Sequence, residues 1–495
     1  MILPNWLTKR AELSPNRIAI IEDEKEYTFA QLLNDVEILS GRLSTLGLKK
    51  GDHVALALRN TYDSVVMIHA MQSLGIVMVL LNTRLTAREM AWQMEDSNSK
   101  FFIYDELFAD KAQQLETISS IINTLTLTEL KTLPSGSINL LSEFDLNDIH
   151  TIIYTSGTTG NPKGVMLTNG NHWWSATGSV LNLGLDVQDR WLACLPLFHV
   201  SGLSILMRSV IYGISIVLHE GFEPKKVNLA IEKQNVTIIS VVSVMLQRMI
   251  DELGEDQYPS SLRCVLLGGG PAPKPLLEEC MDKDIPVFQT YGMTETASQI
   301  VTLAPEYMLT KLGSAGKPLF PSQLRIEKDS KEADANAIGE IVVKGPNVTS
   351  GYYQRVDKTK EVLKDGWLYT GDLGYLDQDG FLFVVDRRND LIISGGENIY
   401  PAEIESVLMG YPTVKEAGVT GISHEKWGQV PIAFVVLESG HLASEQELKD
   451  FCEQHLARYK IPQRFYMIDE LPRNASNKLL RRKLLELIPN AIQEQ

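Results

Sequence analysis

At 495 residues the chain is too long for one simple core, so we expect a large domain and at least one smaller domain. Its 44% hydrophobic and 22% charged residues are typical of a globular protein. The 46 Lys and Arg residues against 62 Asp and Glu residues give a formal net charge of −16, which disfavours binding to nucleic acid or to anionic membranes.

Cysteine usage and the apolar segments predict a cytoplasmic protein without membrane insertion. The N-terminal segment has no sustained apolar run of the kind found in signal peptides. The most apolar segment, Val65–Leu81, contains polar residues and is predicted to be a helix followed by a buried strand. The cysteines have no CxxC spacing, which argues against a disulfide framework or a zinc site; they are Cys194, Cys264, Cys280 and Cys452.

The first 140 residues alternate helical patterns with short apolar strands. RIAIIE and HVALALR are predicted strands, and FAQLLNDVEILSGRLSTLG is a predicted helix ending at Gly47, a residue type that favours the C-terminal cap. The alternation continues from Ala176 to about Met308, with SIVLH, TIISVV and RCVLLGG as predicted strands. This order favours an α/β fold in which helices layer against a largely parallel sheet.

The predicted pattern of secondary structure then changes twice along the chain. From Gly313 to Val385, short strands separated by Gly, Pro and Asp turns predict a β-rich, barrel-like part. After the junction Asp386–Asp390 the pattern is α+β, with helices PAEIESVLMG and SEQELKDFCEQHLARY around strands EAGVTGI and PIAFVVLE. We therefore predict a large N-terminal domain of layered α/β subdomains over residues 1–386, and a small mobile α+β C-terminal domain over residues 387–495.

The strongest local signal is TSGTTGNPKG, residues 155–164, between the predicted strands TIIY and GVMLT. Its glycines, hydroxyls and Lys163 supply many hydrogen-bond donors, so the loop can wrap a polyphosphate. It is not a Walker A loop, because GKS or GKT is absent and a strand follows. A flexible Gly/Thr hairpin is the other interpretation.

YGMTET, residues 291–296, combines a Tyr that can stack on a nucleobase, Thr294 that can donate to a phosphate and Glu295 that can bind Mg²⁺. A turn leading into a helix with Thr294 as N-cap is equally compatible with the hexapeptide.

Three further segments carry polar side chains suited to a nucleotide. Asp372 of YTGDLG suits a bidentate bond to ribose hydroxyls, with a turn Asp as the alternative. Arg387 can reach ribose or phosphate, and the SGGEN turn, residues 394–398, lets another molecule approach the backbone. Lys478 lies in a polar loop before a basic segment, where a lysine is usually a solvated surface charge.

Together these motifs, in this order and with PLFHVSG after the phosphate loop, resemble those of the adenylate-forming superfamily of acyl-CoA synthetases, luciferases and peptide-synthetase adenylation domains. The resemblance spans essentially the whole chain. It implies an enzyme that uses ATP and Mg²⁺ to join a carboxylic acid to AMP and then passes the acyl group to coenzyme A.

By this resemblance each motif acquires a role. Asp372 and Arg387 would hold the ribose, and Glu295 would bind Mg²⁺. Thr294 and Lys478 would contact the α-phosphate, and Lys478 would also contact the carboxylate of the acid. The residues that would cradle the phosphates are Thr155, Ser156, Gly157, Thr158, Thr159 and Lys163. Those that would frame the adenine are Gly269, Gly270, Pro271 and Tyr291.

The resemblance also implies a rotation of the C-terminal domain between the two steps. The pivot of related enzymes is commonly Asp or Lys, and Asn389 stands at that position here, a departure from the pattern. After rotation, a tunnel for coenzyme A would be lined by Ser394, Gly395 and Gly396. His199 of PLFHVSG resembles a gate beside the acyl pocket; a core histidine bonded to backbone is the alternative.

The residues after His199 bear on the choice of acid. HVSGLSILMRSVIYG is apolar except for Ser201, Ser204 and Arg208, which share one face of a helix. An arginine in a helix that lines the substrate indicates a dicarboxylic acid with one end left charged. The alternatives are an Arg that snorkels to the surface and one that pairs with a core carboxylate.

Several blocks further resemble one branch of the superfamily, the o-succinylbenzoate–CoA ligases of menaquinone biosynthesis. These blocks are LPLFHVSGLSILMRSVIYG, LLGGGPAPKPLLEEC, TYGMTETASQIVTL, GSAGKPL and LPRNASNKLLRRKL. That resemblance implies activation of the succinyl carboxylate, with Arg208 against the benzoate carboxylate and hydroxyl contacts from Ser201 and Ser243.

Other functions fit the sequence less well. Aryl- and medium-chain fatty acid–CoA ligases bind acids without a second charge, and a luciferase-like oxygenase gains nothing from Arg208. An AMP-binding regulatory module would tolerate loss of Lys478 and Glu295, yet both are present. A peptide-synthetase module is disfavoured because few residues follow Lys478. The sequence leaves assembly into a homo-oligomer open.

Overall fold

A computed structural model of the chain describes residues 1–118, 123–155, 162–269, 274–386, 391–399, 401–472, 479 and 481–488. The chain divides into two compact units. The first unit contains Met1–Thr83, Met94–Ile153 and Gly164–Asp386, and the second contains Arg84–Gln93, Tyr154–Lys163 and Arg387–Gln495. The domain boundary predicted from the sequence stays a prediction: the largest segment of the second unit starts at residue 387, and two short segments accompany it.

Helices and strands alternate through the first part of the chain, as the sequence predicts. In chain order the elements are β1 (Ile2–Pro4), α1 (Trp6–Leu13), β2 (Ile18–Glu22), β3 (Lys25–Thr28), α2 (Phe29–Leu43), β4 (His53–Ala57), α3 (Tyr62–Leu74), β5 (Val77–Leu80), α4 (Ala87–Asp96), β6 (Phe101–Tyr104), α5 (Ala109–Ile118), β7 (Asn123–Thr126), α6 (Leu127–Thr132), β8 (Glu143–Asp145) and β9 (Ile149–Thr155).

The same alternation continues after the predicted phosphate loop. These elements are β10 (Lys163–Thr168), α7 (Asn169–Leu183), β11 (Arg190–Ala193), α8 (Val200–Tyr212), β12 (Ser215–Leu218), α9 (Pro224–Lys233), β13 (Ile238–Val242), α10 (Ser243–Leu253), β14 (Cys264–Gly268), α11 (Lys274–Asp282), β15 (Val287–Met293) and β16 (Ser298–Thr302).

The next segment is β-rich and contains β17 (Ser314–Pro318), β18 (Gln323–Lys328), β19 (Lys331–Glu332), β20 (Gly339–Lys344), β21 (Gly351–Tyr352), α12 (Val356–Val362), β22 (Leu363–Lys364), β23 (Trp367–Leu376) and β24 (Leu382–Asp386). The last part has the predicted α+β order: β25 (Ile392–Ser394), β26 (Glu397–Ile399), α13 (Pro401–Leu408), β27 (Val414–His424), β28 (Gly428–Leu437), α14 (Glu445–His455) and β29 (Phe465–Met467).

Local capping explains where the predicted helices begin and end. Thr28 and Gln31 form a reciprocal capping box at the start of α2, and after one further 3₁₀ turn the chain leaves the helix at Gly47, whose φ is 71°. Val65–Leu81 divides, as predicted, into most of helix α3 and the buried strand β5. None of the helices that the structure describes is long and apolar enough to cross a bilayer.

The strands form four sheets within the described ranges. The first pairs β1 with β8; the second has the order β21-β10-β9-β5-β4-β6-β7. The third has the order β19-β18-β20-β23-β24-β17-β16-β15-β14-β13-β11-β12-β2-β3, and β22 adds to β23. The fourth, in the second unit, has the order β26-β25-β28-β27, and β29 adds to β28.

The α/β fold class is confirmed, with one correction of form. Strands β2, β12, β11, β13, β14 and β15 are parallel neighbours. The β-rich segment predicted to be barrel-like does not form a closed barrel among the described strands: β17 pairs with β16, so this segment extends the third sheet, which ends at the edge strand β19.

Successive residues of the parallel strands point to opposite faces of the third sheet, each with its own apolar core. Trp191 belongs to the core that also contains residues of α2, α3 and α8 and residues of the second sheet such as Leu56. Its neighbour Leu192 belongs to the core on the opposite face, with residues of α9, α10 and α11 such as Val227 and Leu246. Helix α8, which carries the predicted substrate residues, is buried and packs against the third sheet at β11, β12 and β16.

Candidate active site

The predicted site residues of the first unit follow the carboxyl ends of neighbouring parallel strands. His199 lies shortly after β11, Ser243 directly after β13, Gly269 directly after β14 and Thr294 directly after β15. Since β11, β13, β14 and β15 are adjacent and parallel, these residues lie along one edge of the sheet. Ligands of α/β proteins bind at this edge.

Gly269 occupies a position that a larger residue would strain. Its φ is +86°, and a Cβ atom there would lie 2.8 Å from Cγ1 of Val242. The exposed backbone at the end of β14 can therefore approach a flat ligand closely. Gly270 and Pro271, predicted to frame the adenine with Gly269, lie outside the described residues.

Two residues predicted to hold the adenosine contact each other. The hydroxyl of Tyr291 donates to Oδ2 of Asp372 at 2.7 Å, and both side chains are buried. The backbone N–H of Asp372 donates to the hydroxyl of Thr370 at 3.1 Å. A hydrogen bond to a buried carboxylate is stronger than one between neutral groups, so the bond from Tyr291 fixes the orientation of the Asp372 side chain.

The YGMTET motif forms a tight turn at the end of β15. A Cβ atom on Gly292 would lie 2.0 Å from the carbonyl oxygen of Ser298, so only glycine fits there. Thr294–Thr296 form one 3₁₀ turn, and Met293 occupies the N-cap position. The alternative of a turn leading into a helix with Thr294 as N-cap is therefore wrong, because Met293 holds that position and a single 3₁₀ turn follows.

Glu295 is buried, and two residues that sequence reasoning missed hold it. The hydroxyl of Tyr352 donates to Oε1 of Glu295 at 3.0 Å, and the N–H of Thr349 donates to its carbonyl oxygen at 2.7 Å. Tyr352 lies on β21, which pairs with β10 at Val165. No local pattern marks Tyr352, because an aromatic residue on a short strand is typical of a core position.

The donor set around Glu295 fits Mg²⁺. Within the part of the chain that the structure describes, no group of three His, Cys, Asp or Glu residues could hold a metal ion by itself. Mg²⁺ commonly takes one or two carboxylates and completes its shell with water and substrate phosphates. A single buried carboxylate that is oriented by a hydrogen bond, as Glu295 is, can meet that need.

Helix α8 begins directly after His199, which occupies its N-cap position with its ring 4.6 Å from that of Phe198. Ser201 is half-buried in the first turn. The hydroxyl of Ser204 donates to the carbonyl oxygen of Ser201 at 3.0 Å, so it serves the helix itself. Ser243 is the first residue of α10.

Arg208, in the third turn of α8, is 1% exposed. Its Nε and Nη2 atoms have no hydrogen-bond partner, and no described acidic residue forms an ion pair with it. Its Cζ lies 5.1 Å from the centroid of the Trp191 ring. Both alternatives considered from the sequence, snorkelling to the surface and pairing with a core carboxylate, are therefore wrong for the described residues.

The titratable groups around Arg208 are neutral near pH 7. Burial, reinforced by the charge of Arg208, lowers the pKa of His172 to about 3. Burial raises the pKa of Tyr212 to about 12 and that of Cys264 to about 12. Burial also lowers the pKa of Arg208, but a guanidinium stays protonated in proteins. The site therefore holds a buried cation without an anionic neighbour, a costly arrangement until an anion binds.

The other predicted site residues belong to the second unit. Thr155 ends β9 and Lys163 begins β10. Ser394 ends β25, and Gly395 and Gly396 form the turn to β26. The remaining residues predicted for these motifs lie outside the described residues: Ser156, Gly157, Thr158, Thr159, Arg387, Asn389 and Lys478.

Comparison with known proteins gives consistent matches over nearly the whole chain. A family model described as AMP-binding enzyme matches residues 7–353, and one described as AMP-binding enzyme C-terminal domain matches residues 403–478. The 2-succinylbenzoate–CoA ligase of Geobacillus sp. (strain WCH70) is 57% identical over 488 residues, 99% of this chain and 98% of the relative.

Solved structures of o-succinylbenzoate CoA synthetase (MenE) from Bacillus subtilis are also similar. A double mutant bound with the product analogue OSB-NCoA is 50% identical, with a TM-score of 0.94 over 98% of this chain and 99% of that chain. The complex with the acyl-adenylate intermediate OSB-AMP is 50% identical, with a TM-score of 0.77 over 98% of both chains. The complex with ATP and magnesium ion is 49% identical, with a TM-score of 0.77 over 98% and 100%.

The substitution Tyr352→Phe tests the support of Glu295. It removes the hydroxyl that donates to this carboxylate, and a hydrogen bond to a charged group contributes about 1.5 kcal/mol or more. We expect the affinity for Mg²⁺–ATP to fall about tenfold, as measured by isothermal titration calorimetry. Tyr353→Phe is the matched control, because that hydroxyl accepts from Asn98 instead. An equal change in both variants, or none in Tyr352→Phe, would contradict the assignment.

Proposed function

The chain belongs to the AMP-binding enzyme family, and we propose how its residues carry out the reaction of this family on 2-succinylbenzoate. The enzyme is an AMP-forming acid–thiol ligase that uses ATP and Mg²⁺. It joins the succinyl carboxylate of 2-succinylbenzoate to AMP and then transfers the acyl group to coenzyme A, a step of menaquinone biosynthesis.

In the first half-reaction, a carboxylate oxygen of the acid attacks the α-phosphorus of ATP, and the bond from that phosphorus to pyrophosphate breaks. The product is an acyl-adenylate, whose leaving group is AMP rather than oxide. Negative charge increases on the α-phosphate oxygens, and in our proposal Thr294 and Lys478 stabilise it. When bound by Glu295, Mg²⁺ neutralises charge on the phosphate oxygens. No side-chain nucleophile is needed.

ATP is held by several separate segments of the chain in this proposal. Thr155–Lys163 surround the phosphates, with Ser156, Gly157, Thr158 and Thr159 in the loop. Gly269, Gly270, Pro271 and Tyr291 frame the adenine. Asp372 and Arg387 bind the ribose hydroxyls, and the hydrogen bond from Tyr291 supports this role because it orients the carboxylate of Asp372 before ATP binds.

In the second half-reaction, the thiol of coenzyme A loses its proton and its sulfur attacks the acyl carbonyl, and the bond to AMP breaks. We assign Ser394, Gly395 and Gly396 to the wall of the coenzyme A tunnel. The turn that Gly395 and Gly396 form between β25 and β26 supports this, because glycines let a ligand approach the backbone. Rotation of the C-terminal domain about Asn389 between the half-reactions is part of the same proposal.

The choice of acid rests on one observation: the buried cation of Arg208 has no anionic neighbour. 2-Succinylbenzoate has a second carboxylate, on its ring, that is not activated. In our proposal this carboxylate binds Arg208, with His199 beside the acyl chain and Ser201 and Ser243 as hydroxyl donors. Benzoate, coumarate and octanoate have no second carboxylate and would leave Arg208 uncompensated.

We also place the enzyme in the cytoplasm, because its four cysteines are buried free thiols, which suits a reducing compartment. Assembly into a homo-oligomer stays a prediction.

ATP–pyrophosphate exchange with a panel of acids tests the function. We expect exchange with 2-succinylbenzoate at least about 100-fold faster than with benzoate, coumarate or octanoate, because a hydrogen-bonded charge pair discriminates more strongly than an apolar pocket. Comparable exchange with any of the three monocarboxylic acids would contradict the selectivity. Absence of exchange with every acid would contradict adenylation.

The substitution Lys478→Ala separates the two half-reactions. We expect adenylate formation to fall by at least about 100-fold, since one donor to the developing charge is lost. Thioester formation from preformed acyl-adenylate should change little, because the lysine acts in one state only. Single-turnover assays with purified acyl-adenylate and with ATP measure the two steps. Equal damage to both steps would refute a role confined to adenylation.

The substitution Arg208→Met tests the carboxylate contact while keeping a long side chain in the core. We expect kcat/KM for 2-succinylbenzoate to fall by about 2–4 kcal/mol in transition-state terms, as when a buried charge partner is removed. The comparison substrate is 4-oxo-4-phenylbutanoate, which lacks only the ring carboxylate, and its kcat/KM should change little. If both substrates lose equally, Arg208 does not bind the carboxylate.

A further inference from the structure

The indole ring of Trp191 lies beneath the guanidinium of Arg208. Trp191 is on β11, and its side chain faces the core that contains α8. Cζ of Arg208 lies 5.1 Å from the ring centroid, and both side chains are fully buried. Among aromatic residues Trp is the best cation–π partner, and the interaction strengthens when both groups are desolvated.

This contact has a property that a carboxylate partner would lack. The ring face attracts the guanidinium without accepting its N–H bonds, and Nε and Nη2 of Arg208 indeed have no hydrogen-bond partner in the described part of the chain. A carboxylate ligand can use two parallel N–H donors of one guanidinium. Trp191 therefore holds the cation in place while leaving donors for an anion.

Ser240 in turn fixes the indole ring. Nε1 of Trp191 donates to the hydroxyl oxygen of Ser240 at 3.1 Å, and both residues are buried. Ser240 is on β13, two residues beyond Ile238, the direct partner of Trp191 across the parallel pair. The hydrogen bond thus joins side chains on the same face of adjacent strands, and it sets the rotation of the ring about its Cβ–Cγ bond.

We propose that Trp191 is a positioning residue for the dicarboxylic substrate, acting through Arg208, and that Ser240 orients the Trp191 ring for this task. The inference rests on the proposed function, in which Arg208 binds the ring carboxylate of 2-succinylbenzoate. Its consequence is that selectivity for the second carboxylate depends on two residues that do not contact the substrate themselves.

The test measures the selectivity ratio, which is kcat/KM for 2-succinylbenzoate divided by kcat/KM for 4-oxo-4-phenylbutanoate. Trp191→Phe removes the indole N–H and weakens the cation–π contact, and we expect the ratio to fall about 3- to 30-fold. Ser240→Ala removes one hydrogen bond, and we expect a fall of about 2- to 10-fold. Both effects should appear in KM for 2-succinylbenzoate, with kcat/KM for the monocarboxylate nearly unchanged.

A double-substitution cycle separates positioning from general support of the core. In the Arg208→Met background, Trp191→Phe should not change the selectivity ratio further, because Trp191 acts on the substrate only through Arg208. Trp173→Phe, whose partly buried ring packs against Trp6, is the control for loss of an indole elsewhere in the core and should leave the ratio as it is. Thermal unfolding of each variant checks that it is folded. If Trp191→Phe does not fold, the selectivity ratio of Ser240→Ala alone tests the inference.

The outcomes distinguish this inference from the proposed function. If Arg208→Met lowers the ratio but Trp191→Phe and Ser240→Ala leave it unchanged, the positioning role is overturned and the proposed function stands. The same holds if Trp191→Phe lowers kcat/KM for both acids equally, or lowers the ratio as much without Arg208 as with it. If Arg208→Met leaves the ratio unchanged, the proposed role of Arg208 fails first.

Discussion

Hydrogen bonding between parallel strands determines where the site residues of the first unit lie. In such a sheet all strands end at the same edge, so residues far apart in the sequence become neighbours when their strands are neighbours. The order β15-β14-β13-β11 thus brings together Thr294, Gly269, Ser243 and the segment that leads from β11 to His199. One extra strand between β13 and β14 would separate Ser243 from Gly269 by a further strand spacing of about 4.8 Å. The remaining contacts, such as Tyr291 with Asp372, refine positions that the strand order has already established.

The same geometry explains why Arg208 is buried. Helix α8 packs on the face of the sheet that carries Trp191, so a side chain directed at that face cannot reach water. Burying a charge costs several kcal/mol even after the protein relaxes, whereas a desolvated cation–π contact contributes about 2 kcal/mol. Trp191 alone therefore offsets only part of the cost. The rest must come from something absent from the described side chains, and an anionic group on the ligand is the simplest candidate with the right chemistry.

Local patterns in the sequence predicted what depends on local physics, and failed where the outcome depends on distant pairing. Gly47 marks the end of the α2 region because a left-handed residue is needed there, and the α+β order after residue 391 follows from hydrophobic periodicity. Whether the β-rich segment closes into a barrel depends instead on the strand with which β17 pairs. It pairs with β16, and the pattern of short strands and Gly turns does not encode that choice. Tyr352 was missed for the same reason, since its value lies in reaching Glu295, 57 positions away in the chain.

The residues proposed to bind ATP and those proposed to bind the acid differ in how far a resemblance can locate them. The matched family is described by AMP binding, so the motif positions predicted for the nucleotide carry over, whereas the proposed choice of acid has its physical reason in the charge and burial of Arg208. An apolar pocket distinguishes acids by about 1–3 kcal/mol per group. A pocket built around a buried cation is more selective, because a monocarboxylic acid would leave the guanidinium without an anionic partner. In the proposed site, the second carboxylate is therefore required less for its own contacts than because its absence would leave Arg208 without a partner.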